Sequence, residues 1–266
     1  MPTVEQNRSI WNDQYQWPQA GDEWSKHWGG TTFLWFGVIV PRIHRFLPAS
    51  TILEIAPGFG RWTQYLKDQC QRLIIVDMSP RCIQTCRQRF SDSTNITYHV
   101  NDGRSLEMIA DGSVDFVFSF DSLVHAEAEV MRCYLRQIAR KLRKDGVGFL
   151  HHSNIGHYRR LVALTKAVSG VLPYRVGKLL RMNVLINSAW RGEDMTSDAF
   201  RGFCRESGLC CISQELLNWE NRRWLIDCFS VFTPSCSVHA RASRILLNSG
   251  FMREARQIKR LAGLYS

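Results

Sequence analysis

The stretch ILEIAPGFGRW, residues 52–62, decides the reading of this chain. Ile52, Leu53 and Ile55 surround one acid, Glu54, in a run of strand-forming residues. Ala56, Gly58 and Gly60 then interrupt the run, and an apolar helical pattern starts at Arg61. A buried strand is predicted to end in an acid and to turn through small residues into a helix. Small residues let backbone approach a ligand at the C-terminal edge of a strand. The dinucleotide fingerprint GxGxxG does not fit, because the spacing here is ExAxGxG, so no pyrophosphate cradle is implied.

Downstream, strands and helices alternate. Strands are predicted at Thr51–Ala56, Arg72–Asp77, Asn95–Val100, Val114–Phe120 and Val147–His152, and helices at Arg61–Cys70, Pro80–Phe90 and Ala128–Leu142. Such alternation implies parallel βαβ units, and continuous apolar runs such as LIIV imply burial on both faces. A capped helix at Thr196–Ser207 and two strands, Cys210–Leu217 and Leu225–Phe232, close the core; the last two are near enough to pair antiparallel.

Two further acids end strands. Asp77 closes LIIVD about 20 residues after the glycines, where a carboxylate can accept hydrogen bonds from ribose hydroxyls. Asp102, in Asn101-Asp102-Gly103, ends the third strand, where it can accept from an adenine amino group.

Five segments follow: a tryptophan-rich cap (1–50), a ligand-binding core (51–154), a basic helical insert (155–195), the end of the core (196–234) and a basic helical tail (235–266). The net charge of +10 is carried by the insert and the tail, about +5 each, leaving the rest near neutral. No apolar run approaches the roughly 18–20 residues that cross a bilayer, and the N-terminus lacks the pattern of a leader, so a cytoplasmic protein is expected. The nine cysteines include no CxxC pair, which argues for free thiols and against a disulfide frame or a zinc site.

The ExAxGxG turn, with Asp77 and Asp102 at the next strand ends, resembles the class I S-adenosylmethionine-dependent methyltransferases, over roughly 53–154 and more loosely to Phe232. That family's first motif is ExGxGxG, and Ala56 replaces its first glycine. The resemblance implies a Rossmann-like α/β fold. Its sheet would be seven-stranded and mostly parallel, with helices on both faces and the last strand antiparallel, under an N-terminal helical cap and with a helical insert after strand five. It implies S-adenosylmethionine as cofactor: Glu54, Ala56, Gly58 and Gly60 against its methionine part, Asp77 and Met78 at the ribose, Asp102 and Gly103 at the adenine, Phe120 and Asp121 beside the sulfonium. The phrase GDEWSKHWGG (21–30) is similar to small-molecule and sugar methyltransferases of biosynthetic clusters, which implies Trp24 and Trp28 near the acceptor.

The expected reaction moves a methyl group to an oxygen or nitrogen of a small molecule, such as a biosynthetic metabolite or sugar. Base candidates are His125 in DSLVHAE and a histidine of FLHH; strand period two lets only one of His151 and His152 face the pocket, and His152 is taken as the candidate. Asp121, His125 and Glu127 have no specific metal-ligand spacing, and no metal is expected. The basic insert, with Arg159 and Arg160 leading it, reads as a lid favouring an anionic acceptor. Two alternatives stay open: RNA methylation, supported by net charge alone although no RNA-binding motif is visible, and a non-catalytic cofactor-binding assembly subunit. A homo-oligomer also stays open.

Overall fold

The computed structural model describes residues 3–169, 190–220 and 224–265. Eight strands form one sheet in the order β3-β2-β1-β4-β5-β7-β6-β8. They are β1 (Ala49–Ile55), β2 (Cys70–Asp77), β3 (Ile96–Val100), β4 (Val114–Ser119), β5 (Leu142–Ser153), β6 (Leu209–Leu217), β7 (Asp227–Pro234) and β8 (Arg244–Asn248). The first five are parallel, and β7 runs antiparallel between β5 and β6.

The helices are α1 (Val4–Ser9), α2 (Thr31–Leu34), α3 (Val40–Ile43), α4 (Thr63–Leu66), α5 (Pro80–Arg89), α6 (Ala128–Lys141), α7 (Arg159–Ser169), α8 (Ser197–Glu206) and α9 (Phe251–Tyr265). Between α2 and α3 the chain stays helical with wider turns. Two starts are built as the sequence suggests. Ser79 caps α5 by accepting from the Cys82 amide with Pro80 in the first turn, and Thr196 caps α8 by accepting from the Ala199 amide.

Strand alternation builds two cores. Ile52 of β1 and Phe116 and Phe118 of β4 face one side, where Leu34, Trp35, Val38, Ile39 and Ile43 of the cap and Phe251 of α9 cover them. Leu53, Ile55 and Val117 face the other, under Val130, Leu135 and Ile138 of α6 and Phe200 of α8. Arg42 of α3 forks onto Glu215 of β6 with two bonds of 2.7 Å and ties the cap to the sheet.

The tail departs from the sequence expectation. Its first half is a strand, β8, laid parallel on β6, so the sheet has eight strands rather than seven. Ile245, Leu246 and Leu247 lie between turn-forming residues and are too few for a stable helix, while β6 has an open edge to receive them. The helix after β1 is likewise a single α-turn followed by 3-10 geometry. Among the described residues no helix is long and apolar enough to cross a membrane.

The chain order runs β1-β2-β3 outward on one side and β4-β5 on the other. The sheet therefore reverses between β1 and β4, and a crevice opens at their C-terminal ends, where ligands bind in sheets of this kind.

Candidate active site

A cavity that opens to solvent lies at that reversal, where small-molecule sites form in sheets of this kind. Its floor is Ala56 and Gly58 after β1, Asp77 and Met78 after β2, Gly103 after β3, and Asp121 and Ser122 after β4; its roof is Val4, Asn7, Trp11, Trp17 and Trp24 of the cap. His125, Glu127 and Tyr134 close one side.

The turn after β1 is held by backbone and by its neighbours. Ala56 has φ 58° and donates its amide to the Val76 carbonyl (2.8 Å). Gly58 also has φ 58°, and its amide reaches the Asp77 carboxylate at 3.2 Å. The other Asp77 oxygen accepts from the Ser79 amide at 2.8 Å, so one carboxylate joins two loops. Burial, opposed by these amides, raises the Asp77 pKa to about 6.

Behind the turn stand Glu54 and Arg61. Glu54 is fully buried; one oxygen accepts from the Thr63 hydroxyl at 2.6 Å and the other has no hydrogen-bond partner. Burial pushes its pKa up to about 8. One Arg61 Nη is 2.8 Å from Asp121, the second is buried without a partner, and the guanidinium lies over the Trp24 and Trp62 rings. An unmet acceptor and an unmet donor, buried behind the turn and outside the cavity lining, suit the ammonium and carboxylate of an amino acid, which is the methionine end of S-adenosylmethionine. The residues present therefore fit that group.

Asp121 adopts φ 63°, an unusual conformation for a residue with a side chain. It is held by Arg61 on its carboxylate and by His151, whose Nδ1 accepts from the Asp121 amide at 3.1 Å. The His151 Nε2 lies 3.3 Å from Asp227, and Asp227 meets Arg191 at 2.7 Å.

His125 ends a short turn at the cavity wall. Its Nδ1 bonds the carbonyl of Trp190, which makes Nδ1 the protonated nitrogen and leaves the Nε2 lone pair as acceptor. Burial and the nearby Arg191 charge push its pKa down to about 4, so the ring is neutral at neutral pH.

Of the residues named from sequence, Ala56, Gly58, Asp77, Met78, Gly103, Asp121, His125, Glu127 and Trp24 line the cavity, and the others do not. Gly60 faces Phe90, and Phe120 is buried against Trp62 and His151. Asp102 is exposed and accepts from the Arg104 and Ser105 amides, which shapes the turn instead of the cavity. Trp28 is wholly buried against Trp219 and Phe251, since the cap turn carries it inward. His152 points to the opposite face of the sheet, where it stacks on Phe200 and bonds the Ser230 hydroxyl. Arg159 and Arg160 are exposed, and Arg159 lines a separate small cavity with Ile155 and Glu193. The lid reading of the insert falls largely on residues 170–189, outside the described residues. Among the described residues no group of three potential ligands could hold a metal.

Sequence reasoning missed Asn7, Trp11, Trp17 and Tyr134 in the lining, and weighed Glu127 only as a metal ligand. The spacing of Trp11, Trp17 and Trp24 was the available signal: three large rings in a polar, irregular stretch need a surface to cover.

Residues 52–146 match the family described as methyltransferase domain. The match covers about a third of the chain, and residues 52–146 are similar to a methyltransferase domain over that length. S-adenosylmethionine is the methyl donor of that family. Nodulation protein S of Sinorhizobium fredii is 37% identical over 57 residues, which is 21% of this chain and 26% of that protein, so the chain matches about a quarter of that relative's length. Among solved structures, the N-methyltransferase NodS of Bradyrhizobium japonicum, in complex with S-adenosyl-L-homocysteine, superposes with TM-score 0.54 at 16% identity, covering 88% of this chain and 99% of that one. Magnesium protoporphyrin IX methyltransferase of Synechocystis gives 0.53 at 14% identity, covering 86% and 92%. At these identities the structural likenesses establish the fold.

Proposed function

We propose that this chain transfers the methyl group of S-adenosylmethionine to a nitrogen of a small-molecule amine, in a reducing cytoplasm that suits its free thiols. One observation carries the choice of nitrogen. The charged residues lining the cavity are Asp77, Asp121 and Glu127, the histidine is neutral, three tryptophan rings form the roof, and no basic residue lines it among the described residues. Carboxylates and indole faces attract cations. This reading favours a cationic amine over the anionic acceptor expected from the basic insert. The partial match to nodulation protein S, whose structural counterpart is an N-methyltransferase, agrees with the choice.

In this reading Asp77 takes the ribose hydroxyls, while Glu54 and Arg61 take the amino and carboxyl groups at the methionine end. When bound, the donor supplies a methyl group already activated on sulfur, so the chain's task is to place the acceptor and relieve it of a proton. Trp11 and Trp24 offer the ring faces and Glu127 the charge that receive an ammonium. The Nε2 lone pair of His125 accepts a hydrogen bond from the nitrogen after Glu127 has passed one proton to solvent.

The test is transfer of labelled methyl from S-adenosylmethionine to a panel of primary amines, alcohols and carboxylates of matched size. Methylation of amines, lost in Asp77→Asn and with raised KM for amine in Glu127→Gln, is expected. Methylation confined to alcohols or carboxylates would overturn the choice of acceptor.

A further inference from the structure

The stretch from Ser237 to the end carries six basic residues and a single acid, Glu254. That acid lies 3.6 Å from Arg42, which meets its charge. Arg241, Arg244, Arg253, Arg256, Lys259 and Arg260 are all exposed.

Large apolar side chains are exposed in the same stretch. Ile245, Leu246 and Leu247 of β8 are 51%, 57% and 65% exposed, on the outer edge of the sheet. Leu264 and Tyr265 of α9 are 73% and 82% exposed. Edge strands usually carry charges or proline that keep partners away, and β8 carries three aliphatics in a row.

Helical geometry sorts α9 into two sides. Phe251, Ala255 and Ala262 are buried against the protein. Arg253, Arg256, Arg260 and Leu264, spaced by three, four and four, form the opposite stripe. The Arg253 guanidinium sits beside Gly250, at the turn that joins β8 to α9. Ala262 packs on Gly29 and Ile258 on Gly37, so α9 is braced on the cap that roofs the cavity.

We propose that the outer side of α9, together with β8, docks on a membrane surface of anionic lipid. Such a surface accepts both halves of the patch: headgroup phosphates meet the arginines, and the headgroup–acyl boundary takes Leu261, Leu264 and Tyr265. A nucleic acid would use the arginines and leave the aliphatics in water. A second copy would cover the aliphatics but bring six more like charges to the same face. The proposal is independent of the methyl acceptor.

The experiment is sedimentation of the full chain with vesicles of phosphatidylcholine alone or of phosphatidylcholine with about a quarter phosphatidylglycerol, at about 0.15 M salt. At least tenfold preference for the anionic vesicles is expected. It is lost in the triple variant Arg253→Gln, Arg256→Gln, Arg260→Gln, and kept in the control Arg72→Gln, Arg136→Gln, Lys144→Gln, which removes as many exposed charges elsewhere. The uncharged pair Leu261→Ser, Leu264→Ser weakens binding several-fold. All these positions are exposed, and a thermal melt checks that each variant folds. Equal loss in both triples, or no effect of the leucine pair, would mean general charge attraction and overturn the proposal. So would absence of any vesicle preference, salt-dependent retention on RNA without vesicle binding, or a dimer in sedimentation velocity that Leu246→Lys dissolves.

Discussion

The Trp17 ring occupies the space that a side chain at residue 58 would need: a Cβ placed on Gly58 would stand 2.6 Å from it. Trp17 also lies flat on Phe59, with centroids 4.4 Å apart and planes within 9°. The cap and the glycine turn are therefore one fitted surface, made from segments some forty residues apart in sequence.

Gly58→Ala meets both the φ of 58° and the Trp17 ring. It is expected to lower stability by roughly 2 kcal/mol and to weaken S-adenosylhomocysteine binding at least tenfold, because the roof must shift. Thermal denaturation and calorimetry check this. A variant that melts and binds like the wild type would show that the cap does not form the roof.

Ala56→Gly should act in the opposite direction. Ala56 holds φ 58°, which strains a residue with a Cβ by about 1–2 kcal/mol, while glycine loses about 0.4–1 kcal/mol through the unfolded chain. A net gain of roughly 0.5–1 kcal/mol is expected in chemical denaturation. A loss would show that the alanine methyl contributes packing that outweighs its strain.

Binding should depend on pH through Asp77. Burial raises its pKa to about 6, and ribose hydroxyls donate to the ionised form. The ligand therefore prefers the deprotonated carboxylate and lowers its pKa. Affinity for S-adenosylhomocysteine should rise with pH through about 6 as Asp77 ionises, and again toward 8 as Glu54 ionises against the ligand's ammonium, with protons released from Asp77 on binding at pH 5–6. Calorimetry in buffers of different ionisation enthalpy measures the release. Affinity independent of pH between 5 and 7 would remove Asp77 from the binding site.

Asp227 is wholly buried, beside Arg191 at 2.7 Å and His151 at 3.3 Å. Burial alone would raise its pKa, but Arg191 and His151 hold it below the ordinary value. A depressed carboxylate stabilises the fold above its unfolded pKa, and that stability is lost as pH falls through the folded value. Asp227→Ala leaves Arg191 buried without its partner and is expected to destabilise by roughly 3–5 kcal/mol. It should also loosen the Asp121 turn through His151. Denaturation of the variant at neutral pH decides this, and a change under 1 kcal/mol would contradict it.

Much of this arrangement was legible in the residues. The strands of the parallel core, the small-residue turn at 56–60 and the acid at Asp77 follow from periodicity and spacing, which are local properties. Three things were not legible. The tail from Ser237 read as two short basic amphipathic helices, yet only its second part is helical and five residues of its first part extend an open sheet edge. Neither the full burial of Trp28 nor the half-buried place of Trp24 in the cavity roof is visible in GDEWSKHWGG, because the turn geometry between them decides which ring faces inward. His151 and His152 differ only in strand parity; that parity was recognised, but both are wholly buried and neither lines the cavity, because His151 is spent on the Asp121 amide and His152 on Phe200.

The central claim is that this cavity binds an adenosyl sulfonium through Asp77 at the sheet reversal. Calorimetric titration of the purified chain with S-adenosylhomocysteine tests it most directly. Saturable one-to-one binding, weakened at least tenfold in Asp77→Asn while that variant stays folded, is predicted. No binding to the folded wild type, or equal binding to both proteins, would contradict the account.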